Sequence, residues 1–545
     1  MRALLPTWSE WKPAFRAPGT DLMAGLIVAL VALPLALGFG ISSGLGAAAG
    51  LATAIVAGAL AAVFGGSRFQ VSGPTGAMTV VLVPIVHEHG ASGVLTVGLM
   101  AGVMLVALAF AGVGRAVRFM PAPVIEGFTA GIAVVIALQQ FPGMLGVSGA
   151  EGEKVWQSAF DAVRRFIDDP HATAPVTALV VAVVILIGGR YLPKLPFALV
   201  AVAVATVVAS VFDLDLARIG AIPAGLPAPS LGFLQFDELT TLLLPALAVA
   251  ALAALESLLS ATAADAMAVG TRHDPDRELF GQGLANIAAP LFGGVPATGA
   301  IARTAVNVRS GARTRLAALT HAVILAGIVY LAAGLVADIP IAALAGVLLA
   351  TTVRMVEAAS LAAIARASRG DAIVMAVTFF VTVAFDLVTA VVIGIGFALV
   401  LAVRAIAREA SMQQVPLDET DHLGEEHDLL RDHIVAYRID GPLFFAAAHR
   451  FLLELSDVAN VKVVILRMSR VSALDTTGAL VLADAVTKLQ HRHITVLMSG
   501  LREDHRARLS AMGALPAGGE DAVFADTGAA IAYARRFLPI TRRAH

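Results

Sequence analysis

The chain has 545 residues, of which 58% are hydrophobic and 14% are charged, and its formal net charge is -2 at pH 7. A soluble domain cannot bury so much apolar surface, so the composition indicates a membrane protein, and the absence of a basic excess argues against a nucleic-acid partner. The sequence contains no cysteine, which excludes disulfides, thiolate metal sites and cysteine nucleophiles.

The predicted elements begin with a short N-terminal segment, residues 1–20. Its basic and aromatic side chains, including Trp8 and Lys12, are not followed by a continuous apolar core within this segment. We therefore expect an anchor at the membrane interface rather than a cleaved signal peptide.

Residues 21–408 form the predicted transport domain, which is embedded in the lipid bilayer. This region contains about fourteen apolar segments, most of them close to the roughly 20 residues that a helix needs to cross a bilayer. We predict a transmembrane helix for each one. The predicted ranges are 21–43, 47–64, 71–87, 92–113, 123–142, 172–190, 196–212, 239–268, 277–293, 297–309, 314–336, 340–357, 370–386 and 388–408.

The basic residues provide an independent test of these spans, because cytosolic loops are enriched in Lys and Arg. Arginines occur at alternate junctions, for example at Arg68, at Arg115 and in the 309–315 loop, whereas the intervening 150–170 loop is acidic. Both termini are therefore predicted to lie in the cytosol. The protein itself is predicted to lie in the inner membrane of a bacterial-type cell.

Two of the apolar segments are interrupted by glycine and proline in matching ways. The sequence FGG at 64–66 precedes SGPTG at 72–76, and FGG at 292–294 precedes PATG at 296–299. Seven predicted spans separate the copies, and an odd number inverts the second relative to the first, which predicts two inverted seven-segment repeats. Two ordinary glycine–proline kinks are the simpler interpretation.

The prolines of these broken segments are expected at the first position of a half-helix. Free backbone N–H groups and the positive end of each half-helix dipole would then face a shared cavity in the middle of the membrane. Such a pair of helix ends is suited to binding an anion.

Polar side chains near the breaks are the candidate site residues. Thr75 and Thr298 add hydroxyl donors, or simply cap the half-helices. Arg303 would cost at least about 2.5 kcal/mol at the bilayer centre, so it is expected to face a polar cavity or to pair with Glu256. Glu256 and Ser260, on one helical face, can together hold Na⁺ or a proton as a coupling ion.

Further polar residues fall inside the predicted spans, and hydrogen bonds between helices are their expected role. These residues are Glu126, Gln139, Gln282, Asn286 and His321. We find no metal-ligand cluster, Walker A loop or nucleophilic triad in the sequence, so we expect neither an enzyme nor a cofactor. Any active transport would have to be driven by an ion gradient.

The composition changes after Arg408. Residues 409–433 form an acidic linker, and residues 434–545 alternate strand-like and helical patterns, which predicts a small cytosolic α/β domain. The predicted strands are 433–440, 461–468 and 494–499, and the predicted helices are 444–458 and 477–490.

Taken together, these motifs resemble the SulP (sulfate permease) family over nearly the whole chain. The matching stretches are VALPLALGFGISSG, VSGPTGAMTVVLVPIV, LESLLSATAADAM and GGVPATGAIARTAVNVRSGARTR, followed by a STAS-like domain that contains SALDTTGAL. The resemblance implies a core domain, a gate domain and commonly a homodimer. Members of the family carry sulfate, bicarbonate, chloride or dicarboxylates.

The resemblance also implies which residues bind the anion. Transferred by motif, they are Phe39, Thr75, Gly76, Ala302 and Arg303. Sodium-coupled bicarbonate members have Asp and Thr where this chain has Glu256 and Ser260, so coupling to H⁺ and coupling to Na⁺ both remain open.

The STAS-like domain contains a candidate regulatory site. Asp475 and Thr476 match the Asp-Ser pair that is phosphorylated in bacterial anti-sigma-factor antagonists. Thr476 is therefore either a phosphorylation site or part of a helix N-terminus that Asp475 caps. A cytosolic protein partner of this domain is a further expectation.

The sequence thus predicts a gradient-driven symporter or exchanger of sulfate or a related small inorganic anion. The alternatives are a bicarbonate or dicarboxylate transporter of the same family, a nucleobase carrier, a passive anion channel, and a membrane sensor that signals through the STAS-like domain.

Overall fold

Helices dominate the part of the chain that precedes residue 410. The structure is a computed structural model that describes residues 4–16, 18–115, 121–152, 154–191, 196–268, 272–385, 387–409, 411–415, 433–443 and 461–537. It contains two compact units, Met1–Ile395 and Gly396–His545. The predicted domain boundaries at 20/21, 408/409 and 433/434 stay predictions.

The first helices lead to the first broken segment and continue beyond it. They are α1 (Trp8–Arg16), α2 (Pro18–Ser42), α3 (Ala47–Phe64), α4 (Gly76–Phe110), α5 (Ala122–Gln139), α6 (Phe141–Leu145), α7 (Val155–Asp168), α8 (Thr173–Tyr191) and α9 (Phe197–Val211). The helices around and beyond the second broken segment are α10 (Leu243–Met267), α11 (Pro275–Leu291), α12 (Ile301–Arg309), α13 (Leu316–Ala337), α14 (Ile341–Met355), α15 (Ala358–Ala367), α16 (Arg369–Ala384) and α17 (Leu387–Glu409).

The longest helix, α4, is divided at Gly90. Gly90 has a φ of 66°, in the left-handed region that glycine adopts without strain. An unbroken helix of 35 residues would be about 52 Å long, much more than the ~30 Å apolar core of a bilayer. The break falls between the predicted spans 71–87 and 92–113, so the two halves of α4 correspond to these spans.

Eight of the described helical stretches are long and apolar enough to cross a bilayer. They are Pro18–Ser42, Ala47–Phe64, Gly76–Phe110, Ala122–Leu145, Thr173–Tyr191, Leu243–Met267, Leu316–Ala337 and Ile341–Ala367. Other predicted spans coincide with shorter helices, such as α9 and α12. The count of fourteen segments and the inverted repeats therefore stay predictions.

Two amphipathic helices lie outside the predicted spans. Helix α1 exposes Trp8 and Phe15, whose ring centroids are 5.7 Å apart, as a residue pair at a membrane interface would. Helix α7 lies in the acidic 150–170 loop and exposes Phe160 while it buries Ala159 and Ala162. The sequence predicts a loop here, because α7 is apolar on one face only and does not resemble a segment that crosses the bilayer.

The C-terminal unit contains a five-stranded sheet. Its strands are β3 (Ser411–Val415), β4 (Ile434–Leu443), β5 (Val463–Leu474), β6 (Thr495–Ser499) and β7 (Val523–Phe524), and its helices are α18 (Thr476–His491), α19 (Glu503–Ala511) and α20 (Thr527–Ala534). The strands lie in the order β3-β4-β5-β6-β7, in which β3 is antiparallel to β4 and the other pairs are parallel. The labels β1 and β2 are kept for the two short strands of the candidate site.

The predicted strands 433–440, 461–468 and 494–499 correspond to β4, β5 and β6, and the predicted helix 477–490 corresponds to α18. The predicted helix 444–458 and most of the acidic linker lie outside the described residues. The expected fold class, a polytopic helical membrane protein followed by a small α/β domain, is confirmed.

Candidate functional site

The two broken segments pair with each other. Strand β1 (Ser72–Gly73) is antiparallel to strand β2 (Thr298–Gly299), with Ser72 opposite Gly299 and Gly73 opposite Thr298. The N–H of Ala300 also donates to the carbonyl of Val71 at 2.9 Å. This two-stranded connection brings the N-terminal ends of α4 and α12 together inside the membrane unit.

The prolines do not occupy the predicted first helical positions. Helix α4 begins at Gly76 with Thr75 as its N-cap, so Pro74 lies before the cap. Helix α12 begins at Ile301 with Ala300 as its N-cap. That prediction is wrong, because the chain around each proline is extended to form the β1–β2 pair before it enters the helix.

Glu256 interacts with both broken segments. Its Oε2 accepts hydrogen bonds from Oγ1 of Thr75 at 2.8 Å and from Oγ1 of Thr298 at 2.5 Å, and the two hydroxyl oxygens are 3.1 Å apart. Hydrogen bonds to a charged group contribute about 1.5–3 kcal/mol each. The carboxylate on α10 therefore links the two segments.

The helical spacing predicts that Glu256 and Ser260 act together, but in the structure each of them bonds to other residues. The hydroxyl of Ser260 donates to Oγ1 of Thr304 at 3.1 Å, and that oxygen also accepts from the N–H of Val71. Ser260 thus supports the first broken segment through Thr304, while the hydroxyls that reach Glu256 come from Thr75 and Thr298.

Arg303 is the most completely buried charge at the site, with 1% of its surface exposed. Its Nη2 donates to the carbonyl of Pro74 at 2.6 Å, and its Nη1 has no hydrogen-bond partner among the described residues. The alternative ion pair with Glu256 is not formed within the described part of the chain. A guanidinium N–H is therefore available for a ligand.

The position of Arg303 depends on a glycine in the other segment. Gly73 has a φ of +156°, and a Cβ at this residue would lie 2.6 Å from Nη1 of Arg303. A larger residue at 73 would displace the guanidinium. The first segment therefore provides the space that the arginine of the second segment occupies.

The remaining site residues transferred by motif lie around the same helix ends. A Cβ at Gly76 would lie 3.1 Å from Cε1 of Phe39 and would overlap Ile136, so the Phe39 ring packs against the start of α4. Ala302 is exposed on α12, next to Arg303. The structure thus brings Phe39, Thr75 and Gly76 close together, whereas Ala302 is exposed, and the described residues show no contact between it and this group.

Several polar residues that support the second segment were not assigned to the site from the sequence. The side-chain amide of Asn286 donates to the carbonyl of Ala297 at 2.9 Å and accepts from its N–H at 2.8 Å. Oγ of Ser257 accepts from the N–H of Gly299 at 3.0 Å. The position of Ser257, adjacent to Glu256 within LES, was the available signal.

The intramembrane polar residues only partly match their expected role. Glu126 accepts from Ser360 at 2.7 Å, Gln139 accepts from Thr79 at 3.2 Å, and Gln282 donates to Ser72 at 2.6 Å. Both ring nitrogens of His321 are buried without a hydrogen-bond partner among the described residues, so the expected bond to another helix is not formed there.

Thr476 is exposed at the first position of α18. Oδ1 of Asp475 accepts from the N–H of Gly478 at 2.6 Å, which is the N-cap interaction expected from the sequence. The phosphorylation of Thr476 stays a prediction. In the described ranges, no group of three His, Asp or Glu side chains is arranged to hold a metal ion.

Comparison with known proteins identifies relatives over nearly the whole length. Residues 19–378 match the sulfate permease family, and residues 430–527 match the STAS domain. YvdB of Bacillus subtilis, provisionally named a sulfate transporter, is 36% identical over 507 residues, which cover 90% of this chain and 93% of YvdB.

Two solved structures are also similar. The transmembrane domain of a cyanobacterial bicarbonate transporter, BicA, is 34% identical, with a TM-score of 0.64 over 69% of this chain and 98% of that domain. The murine Slc26a9 anion transporter in the inward-facing state has a TM-score of 0.84 over 98% of this chain and 94% of its own, at 17% identity. At that identity, the second similarity shows the fold alone.

Proposed function

The chain belongs to the sulfate permease family, and we propose that it is a secondary active transporter of sulfate or a related small inorganic anion, located in the bacterial inner membrane with both termini in the cytosol. The family consists of transporters rather than enzymes, and its members include anion transporters. The identity of the substrate, the coupling ion and the roles of individual residues are proposals.

The observation that carries this proposal is the buried, incompletely bonded guanidinium of Arg303. Removing this charge from water costs several kcal/mol. Glu256 interacts with it electrostatically but forms no ion pair with it among the described residues, so an anion beside Nη1 would offset the cost that remains. The adjacent N-terminal ends of α4 and α12 would each contribute a further ~0.3–1 kcal/mol through their dipoles. Together they favour one small anion over a neutral nucleobase.

Glu256 is proposed to couple this anion to H⁺ or Na⁺. A threonine hydroxyl has one hydrogen to donate, and Thr75 and Thr298 both donate theirs to Oε2 of Glu256. Neither hydrogen is then available to an anion while the carboxylate is ionised.

A proton or Na⁺ bound at Glu256 would weaken the hydrogen bonds that its carboxylate accepts from these two hydroxyls. Thr75 and Thr298 could then turn their hydroxyls toward the anion beside Arg303. Binding of the cation would favour binding of the anion and the reverse, and this reciprocity is what symport requires.

The variant Glu256→Gln tests the coupling, because the amide has a similar shape but neither ionises nor attracts a cation strongly. We expect the purified variant to bind the anion independently of pH and Na⁺ and to lose concentrative uptake under an imposed gradient. Asp265→Asn is the matched control, since Asp265 is on the same helix but pairs with His273 at 2.7 Å. Normal concentrative uptake by Glu256→Gln would contradict the coupling role.

Bicarbonate is the second candidate substrate, because the similarity to BicA covers 69% of the chain. Initial uptake of sulfate, bicarbonate and a dicarboxylate into reconstituted vesicles, at varied pH and Na⁺, would decide between them. Anion current that ignores both the H⁺ and the Na⁺ gradient would instead indicate a channel.

The C-terminal domain is proposed to regulate transport through a cytosolic protein partner, and the assembly is proposed to be a homodimer. Uptake by a chain that ends at residue 408 separates this role from that of a sensor. A transporter should retain anion flux without the domain, whereas a membrane sensor would show no flux in either form.

A further inference from the structure

A cavity of about 440 Å³ lies in the membrane unit, away from the arginine-rich junctions. Its lining includes Ser42, the last residue of α2, whereas Asp21 near the start of α2 binds the backbone of Arg313 and Thr314. Because arginine-rich junctions are expected in the cytosol, the cavity is on the predicted outer face.

The inner end of this outer cavity reaches the neighbourhood of the candidate site. Gly38, which precedes Phe39, lines it, as does Gln139, whose amide oxygen accepts from Thr79 in the first turn of α4. Phe39 and Ile136 pack against Gly76 at the start of α4 and do not line the cavity. An anion that crosses this apolar layer would therefore pass from the outer cavity to Arg303.

Among the described lining residues, the ionisable ones are His87 and Lys154, and both can carry positive charge. His87 is charged only when it is protonated, so Lys154 is the permanent cation. The described residues place no carboxylate in an ion pair with Lys154, and its Nζ lies 5.9 Å from the centroid of the Phe385 ring.

Three carboxylates of the same face interact with other residues. Glu88 lies 3.8 Å from His89, and Arg165 pairs with Glu151 at 3.3 Å and with Asp161 at 2.8 Å. None of these three carboxylates lines the cavity. The positive charge of Lys154 is therefore not neutralised at the cavity wall by them.

We propose that the outer cavity is a second, low-affinity anion-binding site, in which Lys154 concentrates the transported anion before it enters the site at Arg303. The volume corresponds to about fifteen waters at ~30 Å³ each, so the anion would be held with its hydration shell. A small hydrated oxyanion such as sulfate fits this chemistry. The inference rests on the proposed function, since it assumes that the anion collected is the one transported.

Removal of Lys154 should weaken capture without changing the later steps. Charged clefts raise association rates by about 10- to 1,000-fold as a whole, so loss of one charge should raise the KM for uptake from the outer side by about 3- to 10-fold at low salt. The maximal rate should be unchanged. The effect should largely disappear at about 1 M ionic strength, where the Debye length is about 3 Å.

The kinetic experiment compares Lys154→Gln, Lys154→Arg and Arg164→Gln in vesicles of known orientation. Lys154→Arg keeps the charge and should retain the wild-type KM. Arg164 is exposed on α7 outside the cavity, and Lys154 directly precedes α7, so Arg164→Gln removes the same charge from a nearby position as a control. Equal KM values for Lys154→Gln and Arg164→Gln would overturn the proposal.

A second measurement does not depend on transport. The chain has no cysteine, so Ser148→Cys would place a single thiol in the cavity wall. We expect a negatively charged methanethiosulfonate to react faster than a positively charged one, and the rate ratio to fall about 3- to 10-fold when Lys154→Gln is added. A thiol at the exposed Ser230, outside the cavity, should show no such change.

The two measurements separate the inference from the proposed function. An unchanged thiol rate ratio, in a protein whose Arg303→Ala variant loses anion binding, would reject the outer site and leave the proposed function intact. A Lys154-dependent rate ratio in a protein that transports none of the tested anions would reject the proposed function and retain an anion-concentrating cavity.

Discussion

The two broken segments begin with the same Phe-Gly-Gly sequence and each contains a proline, yet they enter their helices differently. In the first, Thr75 follows Pro74 directly and caps α4. In the second, Ala300 is the N-cap of α12 and contributes no side-chain hydrogen bond. One segment therefore has a helix end stabilised by its own side chain, and the other depends on residues from neighbouring helices.

Their contributions to the site differ in the same way. The first segment supplies a capped helix end, the carbonyl of Pro74 and the space at Gly73, while the second supplies the charge of Arg303. Matching sequence motifs thus carry complementary tasks, and neither segment forms the site alone. Variants that affect one segment and not the other test this division.

The largest effect is expected from Arg303→Ala, which removes the charge supplied by the second segment. Loss of a charged hydrogen bond of about 1.5–3 kcal/mol would weaken anion binding about 10- to 150-fold. Arg303→Lys should recover part of this loss, because it keeps the charge but not the guanidinium geometry. Direct binding to purified, folded protein is the measurement.

Two further variants complete this experiment. Arg309→Ala removes an exposed arginine from the last position of the same helix and should leave the affinity unchanged. Gly73→Ala changes only the first segment, but its Cβ would displace the Arg303 guanidinium and should also weaken binding. If Arg303→Ala binds the anion normally, Arg303 has a structural role and the division of tasks is wrong.

A smaller effect is expected from the two threonines. Both hydroxyls donate to Glu256, but only Thr75 also accepts from a helix N–H, that of Met78 at 3.4 Å. This long cap should contribute at the low end of the usual range, about 0.5–1 kcal/mol. Thr75→Val should therefore reduce stability more than Thr298→Val does.

Both valine variants should weaken the dependence of anion binding on pH or Na⁺, since each removes a donor that Glu256 and the anion are proposed to share. The serine variants at the same positions keep the hydroxyl and should behave like the wild type. Thermal unfolding and binding titrations in detergent provide the two readouts. Equal stability of Thr75→Val and Thr298→Val would remove the difference between the two helix ends.

The sequence predicted the positions of the helices more successfully than the contacts between them. Hydropathy is a local property, so the spans 47–64 and 172–190 correspond closely to α3 and α8. The broken segments were recognised from glycine and proline. Strands β1 and β2 have two residues each, which is too short for an alternating pattern to indicate them.

The candidate site shows the same limit. A helical face correctly placed Glu256 and Ser260 on α10, but the actual partners of Glu256 come from segments far away in the chain. Arg303 could be recognised from the sequence because a charge inside a span is costly. Its hydrogen bond to the carbonyl of Pro74 could not be predicted, since every residue has a carbonyl that can accept. Long-range backbone contacts have no sequence signature.

An effect as small as that of the Thr75 cap is expected at Glu10, which connects the regions that lead into both broken segments. Its carboxylate pairs with Arg277 of α11 at 2.7 Å and with Arg315 at 3.1 Å, and Arg315 donates to the carbonyls of Gly65 and Ser67. One carboxylate on α1 is therefore linked, through Arg315, to the residues just before the first segment and, through Arg277, to the helix that precedes the second.

The ionisation of Glu10 makes this connection testable by pH. Burial alone would raise its pKa, but the hydrogen bond and charge of Arg277, together with the charge of Arg315, lower the pKa from 4.5 to about 2. Because the folded pKa lies below the ordinary value, the stabilisation is complete above about pH 4.5 and is lost as the pH falls through about 2. Its magnitude should be about 0.5–1 kcal/mol, the upper range for ion pairs near a surface.

The measurement is the difference in unfolding temperature between the wild type and Glu10→Gln as a function of pH, because this difference isolates Glu10 from the other acidic groups. The wild type should be more stable at pH 7, and the advantage should shrink below about pH 4.5. Glu151→Gln, on the exposed 150–170 loop, is the control and should show little difference at either pH. A constant difference from pH 7 down to acid would mean that Glu10 stabilises the protein by packing, and that its charge does not connect the two segments.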